Sequence, residues 1–145
     1  MYGDNPIRPP FFGDGRTLQV QKIFPTIQGE GPFVGAPSVF IRLGGCNLAC
    51  NFCDTEFESF SEMHLEDIIS EVKAKCGNSK LIVITGGEPL RQPIELLTEE
   101  LLALRFDVQI ETNGTLYRKL PKKVNIICSP KAGKNGYHPI RPDLL

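Results

Sequence analysis

Leu81 to Thr85 reads LIVIT, an unbroken apolar run followed at once by GGEP. A run of this length and β-branched content is a strand buried on both faces, as strands of a parallel sheet are. The unit recurs. SVFIRL, Ser38 to Leu43, runs into GGCNLACNFCDTE; DVQIE, Asp107 to Glu111, runs into TNG; VNIIC, Val124 to Cys128, runs into SPK. Helical spacing separates them: Leu65, Ile68, Ile69, Val72 and Cys76 predict a helix over His64 to Lys75, closed by Gly77, and Ile94, Leu97, Leu101 and Leu104 predict a second. Strands alternating with helices form parallel α/β architecture, in which ligands sit off the C-terminal strand ends. All four polar strand ends are therefore expected to face one cavity.

The remaining segments are less regular. TLQVQKIF, Thr17 to Phe24, alternates as a further strand, and PTIQGEGPFVGAP after it reads as a glycine-punctuated loop. Residues 1–16, rich in Gly and Pro, read as an irregular arm. The 145 residues suffice for one domain, with no internal repeat. A net charge of −1 calls for neither nucleic acid nor an anionic membrane, although the stretch from Arg118 onward carries seven basic residues against one acid, Asp143. No apolar run approaches the roughly eighteen residues of a membrane span, and the N-terminus carries no basic-then-apolar signal, so a cytoplasmic location is expected.

Five cysteines, an odd number, argue for a reducing compartment and a metal or cluster site, not a disulfide framework. Cys76 and Cys128 lie in apolar segments and read as small core residues. Cys46, Cys50 and Cys53 are spaced C-x3-C-x2-C on the loop after SVFIRL. A zinc site would want a fourth ligand, with Asp54, His64 or Cys76 as candidates, but zinc motifs arrive as paired C-x-x-C or with paired histidines. Three thiolates on a short loop suit three irons of a 4Fe–4S cluster, leaving one iron free for an exogenous ligand. Spacing alone leaves cluster, zinc and chance clustering open. In TGGEP, the glycine pair lets backbone approach a ligand closely, and Pro89 holds Glu88 extended so that the Gly87 and Glu88 carbonyls could meet an ammonium group. A plain strand-to-helix turn is the alternative. His64 is expected to begin a helix and His138 to lie in a loop, neither with an assigned role.

C-x3-C-x2-C after the first barrel strand with GGEP after the next resembles the radical S-adenosylmethionine (SAM) superfamily. The resemblance implies a partial (β/α) barrel, a 4Fe–4S cluster on three cysteines, and SAM chelating the open iron through its amino and carboxylate groups. An electron from the cluster then splits the sulfonium and yields a 5′-deoxyadenosyl radical. TIQGEGPFVGAPSVFIRLGGCNLACNFCDTEFE, with TGGEP, ETNG and SPK, is similar in particular to the 7-carboxy-7-deazaguanine synthase family, QueE. Glycyl-radical-enzyme activases share the cysteines and GGEP but usually not QGEG.

That resemblance implies contraction of 6-carboxy-5,6,7,8-tetrahydropterin to 7-carboxy-7-deazaguanine with loss of ammonia, a step toward queuosine, assisted by Mg²⁺. It implies SAM contacts from Phe52, Cys53, Asp54, Gly87, Ser129, Pro130 and Lys131. Ile27, Gln28, Gly29, Arg42 and Thr85 would meet the pterin, Arg42 through its carboxylate, and Thr55 would bind Mg²⁺. Glu30 could accept from the pterin's amino and N–H groups, while Glu111 and Asn113 are further possible ligands facing the cavity. Each has a bland reading: a salt bridge for Arg42, a helix cap for Thr55, a buried aromatic for Phe52, a surface lysine for Lys131. No side chain is assigned as catalytic, because the radical arises on SAM. The family implies a homodimer and a flavodoxin- or ferredoxin-type electron donor.

The chain stops about fifteen residues after SPK, where family members continue for two more strands and a helix, so the barrel is expected to be shortened at its C-terminus. VNIIC would then be an edge strand, covered by the tail Gly133–Leu145 or by a partner subunit. Three other readings stand beside the enzyme: a non-catalytic remnant of the family, a different radical SAM enzyme, and a zinc- or cluster-holding structural module.

Overall fold

The computed structural model describes residues 3–144. Six strands and two helices carry the α/β unit expected from the alternation: strands β1 (Thr17–Ile27), β2 (Pro37–Leu43), β3 (Ser61–His64), β4 (Leu81–Gly86), β5 (Asp107–Thr112) and β6 (Asn125–Cys128) in one sheet of order β3-β1-β2-β4-β5-β6, with helix α1 (Leu65–Cys76) between β3 and β4. Helix α2 (Glu95–Ala103) joins β4 to β5. Strands β2, β4, β5 and β6 run parallel, and their C-terminal ends lie at one rim of the sheet.

The sheet is mixed, since β1 pairs antiparallel with both β2 and β3. Only residues 28–36 separate β1 from β2, too few for the crossover that a parallel pair requires. Strand β1 also runs three residues beyond the expected Phe24, through Pro25, Thr26 and Ile27. Pro25 is tolerated because β3 pairs with β1 only over Thr17–Val20, so a missing N–H toward that free edge breaks no ladder. Strand β3, SEMH, gives no alternation signal because it pairs through its backbone and leaves its side chains mostly in water.

The core lies between one face of the sheet and the two helices. Ile41, Ile82, Ile84, Val108 and Ile110 meet Ile68 and Val72 of α1 and Leu97 and Leu101 of α2, all buried. Each fully buried side chain of this size contributes about 1.5–3 kcal/mol. Alternate residues turn to the other face: Phe40 and Arg42 from β2, Val83 and Thr85 from β4, Gln109 and Glu111 from β5. Val83 is buried there, but the face grows polar toward the rim.

Residues 1–16 are irregular, as expected, yet they are anchored. Asn5 Nδ2 donates to the Leu48 carbonyl at 2.9 Å, and the Arg8 N–H donates to the Cys46 carbonyl at 2.8 Å. The tail forms a small hairpin, β7 (Ala132–Gly133) with β8 (Gly136–Tyr137), then folds over the β5 loop, where the Arg141 N–H meets the Gly114 carbonyl at 2.8 Å. It adds no strand to β6, which remains the outer strand of the sheet. Cys76, half-buried at the end of α1, packs against the core as a small apolar group does, whereas Cys128 is half-buried on the outer strand, which has no neighbour on one side to close over it.

Candidate active site

The four strand-end loops meet at one cavity of about 330 Å³. The loop after β2 supplies Cys46, Cys50, Phe52, Cys53, Asp54 and Thr55; the end of β4 supplies Thr85, Gly86 and Gly87. Strand β5 and its loop supply Glu111, Thr112 and Asn113, and the segment after β6 supplies Ser129 and Lys131. Thirteen residues singled out in the sequence thus share one wall or another of a single space: the three cysteines, Glu30, Phe52, Asp54, Thr55, Thr85, Gly87, Glu111, Asn113, Ser129 and Lys131. Five do not line it. Ile27 at the end of β1 and Gly29 just beyond it are exposed, Gln28 is buried between them, Arg42 stands one strand from Thr85, and Pro130 turns to solvent.

The loops are held by bonds that the motifs only partly announce. The Gly87 N–H donates to the Leu43 carbonyl at 3.3 Å and the Glu88 N–H to the Gly45 carbonyl at 3.0 Å, which ties GGEP to the cysteine loop. A Cβ on Gly87 would lie 2.2 Å from the Gly45 oxygen and 2.9 Å from Cys46 Cβ, so only glycine fits this approach. The Glu88 side chain, fully buried, does more than the turn reading foresees. It accepts from the Leu90 N–H at 2.9 Å, the Thr112 hydroxyl at 2.7 Å and the Asn113 N–H at 2.8 Å. Burial raises its pKa above the ordinary carboxylate value while the three donors oppose that rise. Asn113 in turn donates to Asn47 Oδ1 at 2.9 Å, joining the β5 loop to the cysteine loop.

All five cysteines are free, so no thiol is spent on a disulfide. Among the described residues, no three His, Cys, Asp or Glu side chains converge tightly enough to grip a single metal ion. Three free thiols line the one cavity, and thiolates are the ligands an iron–sulfur cluster takes. The residues present therefore fit such a cluster. Burial pushes the Cys46 thiol up to about 11, with the neighbouring Glu88, Cys50 and Cys53 adding to the shift. Burial and Cys53 also raise Cys50, against Lys131, which lowers it. Without a bound cation these thiols resist ionising together; iron offsets the cost. Phe52 is 54% exposed at the rim, which rules out a core role for its ring. Lys131 Nζ donates to Ser129 Oγ at 2.7 Å. Thr55 donates to Asp54 Oδ1 at 3.0 Å instead of capping a helix.

On the polar sheet face, Thr85 Oγ1 donates to Glu111 Oε2 at 3.3 Å, and Gln28 Nε2 to Glu111 Oε1 at 2.9 Å. Gln28 Oε1 accepts from the Gly29 and Glu30 N–H groups at 2.6 and 3.1 Å, so the QGEG turn closes on its own side chain. Arg42 makes no salt bridge among the described residues. Its guanidinium stacks 5.1 Å from the Phe24 ring centroid, and its Nε is buried without a partner. Lys22, directly opposite Arg42 in the ladder, also lies over Phe24, at 5.5 Å. Like charges facing each other are unfavourable unless an anion joins them. Lys22 escaped the sequence reading because the irregularity between Val20 and Lys22 shifts its register.

Residues 40–131 match the family model described as the Radical SAM superfamily. The chain is 64% identical over its whole length to the 7-carboxy-7-deazaguanine synthase of Rickettsia prowazekii, covering 64% of that protein. It is 50% identical over 90% of its length to the protein of the same name from Rhodospirillum rubrum, covering 57% of it. The crystal structure of QueE from Escherichia coli superposes with a TM-score of 0.80 at 28% identity, covering 87% of this chain and 66% of that one. The chain thus spans less than two thirds of the length of each of these relatives.

Proposed function

The chain belongs to the radical SAM superfamily, whose members hold a 4Fe–4S cluster and SAM, and within it we propose that this protein acts as a 7-carboxy-7-deazaguanine synthase. The substrate is 6-carboxy-5,6,7,8-tetrahydropterin and the products are 7-carboxy-7-deazaguanine and ammonia. The observation that carries this reading is the single cavity on which three free thiols, the GGEP turn and the Thr85–Glu111 pair converge.

Bound together, cluster and SAM supply a radical able to withdraw hydrogen from a carbon of the substrate. The chain's own residues hold and orient. Cys46, Cys50 and Cys53 ligate the cluster. Gly87, backed closely on Gly45, offers main chain to SAM, with Phe52, Asp54, Ser129 and Lys131 around it and Pro130 linking the last two. Arg42, free of any carboxylate and flanked by Lys22, receives the pterin carboxylate. Gln28 holds Glu111, and Glu111 and Thr85 present an acceptor and a hydroxyl to the ring, alongside Ile27 and Gly29. Thr55 would offer one hydroxyl oxygen to Mg²⁺, a cation that takes few protein ligands. A homodimer, a flavodoxin- or ferredoxin-type reductant and a cytoplasmic location complete the reading; among the described residues no helix is long and apolar enough to cross a membrane.

The test is turnover. The anaerobically reconstituted chain, given reductant, SAM, Mg²⁺ and the carboxy-tetrahydropterin, is expected to form the deazaguanine and ammonia. Cleavage of SAM without consumption of the pterin would assign the chain to another radical SAM activity.

A further inference from the structure

Arg91 is a buried cation without a counter-ion. It is 3% exposed, and among the described residues no carboxylate lies within ion-pairing distance of it. One Nη donates to the Gly44 carbonyl at 3.0 Å and to Gln19 Oε1, the other to the Pro9 carbonyl at 3.4 Å, and the Nε has no partner. Phe11 covers its face at 5.1 Å. These contacts are neutral, and a buried charge satisfied only by neutral groups is costly to hold.

Its position suggests what balances it. Gly45, at φ +74°, sits between two cations: a Cβ there would lie 2.7 Å from Arg8 Cδ and 2.8 Å from an Arg91 Nη. The next residue is Cys46. Arg8 is neutralised by Glu58, which accepts from it in a fork at 2.6–3.1 Å. Arg91 is not. Burial and the neighbouring Arg8 lower its pKa, while Glu58 and, after it, Cys46 oppose that fall. An oxidised 4Fe–4S core carries two positive charges against three thiolate charges; the ensemble is anionic and becomes more so on reduction.

We propose that Arg91 is the buried counter-charge of the cluster, a positioning residue that favours the cluster's reduced form through the Gly44–Cys46 backbone. This rests on the radical SAM reading and deepens it: nothing in the GGEP turn itself requires a cation two residues after its proline. A positive charge near the cluster stabilises the added electron, whereas the hydrogen bonds to Gly44 and Gln19 alone would not depend on charge.

The experiment is a reductive titration, followed by electron paramagnetic resonance, of the full chain after anaerobic loading with iron and sulfide. Arg91→Gln is expected to be about tenfold harder to reduce at a given potential, a downward shift of about 59 mV for one electron. Arg91→Lys keeps the charge without the guanidinium fork and is expected to stay close to the parent. Glu58→Gln leaves Arg8 uncompensated and is expected to shift the potential upward, by less, because Arg8 is more exposed. Equal potentials in parent and Arg91→Gln, or a downward shift in Glu58→Gln, would overturn the assignment. If Arg91→Gln does not fold, Arg91→Lys decides: a potential close to the parent's supports the charge, and a downward shift as large as that expected for Arg91→Gln overturns it. A parent chain that takes up no cluster overturns the functional reading as well; one that loads normally but shows no charge-dependent shift overturns the role of Arg91 alone.

Discussion

The Glu88 carboxylate accepts the main-chain N–H of Asn113 at 2.8 Å, wholly out of solvent, and so fixes the loop after β4 to the loop after β5. The same carboxylate takes the Thr112 hydroxyl at 2.7 Å. GGEP is therefore a clamp on its neighbour strand.

Glu88→Gln is expected to cost about 1–3 kcal/mol, since its amide nitrogen cannot accept and leaves a buried donor unmatched. Chemical denaturation of the two chains measures it. The difference should depend on pH. Burial, its largest influence, raises the folded-state pKa of Glu88 above the ordinary 4.5, so protonation favours the folded parent. The parent should gain on the variant as pH falls toward that ordinary value and lose ground as pH rises through the folded pKa. A difference that widens in the parent's favour with rising pH would contradict this.

Gly87→Ala should prevent the cysteine loop from seating, because the added carbon meets the Gly45 carbonyl backbone at 2.2 Å. Iron content after reconstitution and thermal stability should both fall. An alanine variant with full iron content would show that the approach is not required.

Arg42→Ala should leave cluster content and SAM cleavage intact and raise KM for the pterin roughly 10- to 100-fold, the worth of a charge-assisted bond to a carboxylate. Lys22→Ala should do the same more weakly, its ammonium being exposed. Unchanged KM in both would remove the carboxylate from this face.

Thr55→Ala should change the Mg²⁺ concentration needed for half-maximal turnover while sparing cluster assembly, because among the described residues its hydroxyl bonds Asp54 alone. An unaltered Mg²⁺ requirement would return Thr55 to the local turn.

The sequence carried the strand ends well, and for a physical reason. A strand covered on both faces must be continuously apolar, and its loop must become polar or glycine-rich where it opens to ligand, so LIVIT-GGEP and the cysteine loop announce themselves. What pairs through backbone is silent: SEMH entered the sheet as β3 without any side-chain pattern, and β1 hid its direction because alternation is the same in either orientation. The arm, irregular in composition, gave no sign that Asn5 and Arg8 would brace Leu48 and Cys46, since such contacts span some forty residues of sequence. Glu88 was legible as a residue of a turn, but neither it nor Arg91 was legible as a buried charge, because burial depends on what folds over them. Arg42 was the reverse: FIRL pointed to a ligand-binding arginine, and the structure stacks its guanidinium on Phe24 and leaves its Nε without a hydrogen-bond partner among the described residues.

The most direct measurement is iron, sulfide and 5′-deoxyadenosine from the purified chain, reconstituted and reduced without oxygen in the presence of SAM. About four irons and four sulfides per chain, lost when Cys46, Cys50 or Cys53 becomes Ala, together with 5′-deoxyadenosine, is the predicted result. Zinc in place of iron, or a loaded cluster that leaves SAM untouched, would contradict it.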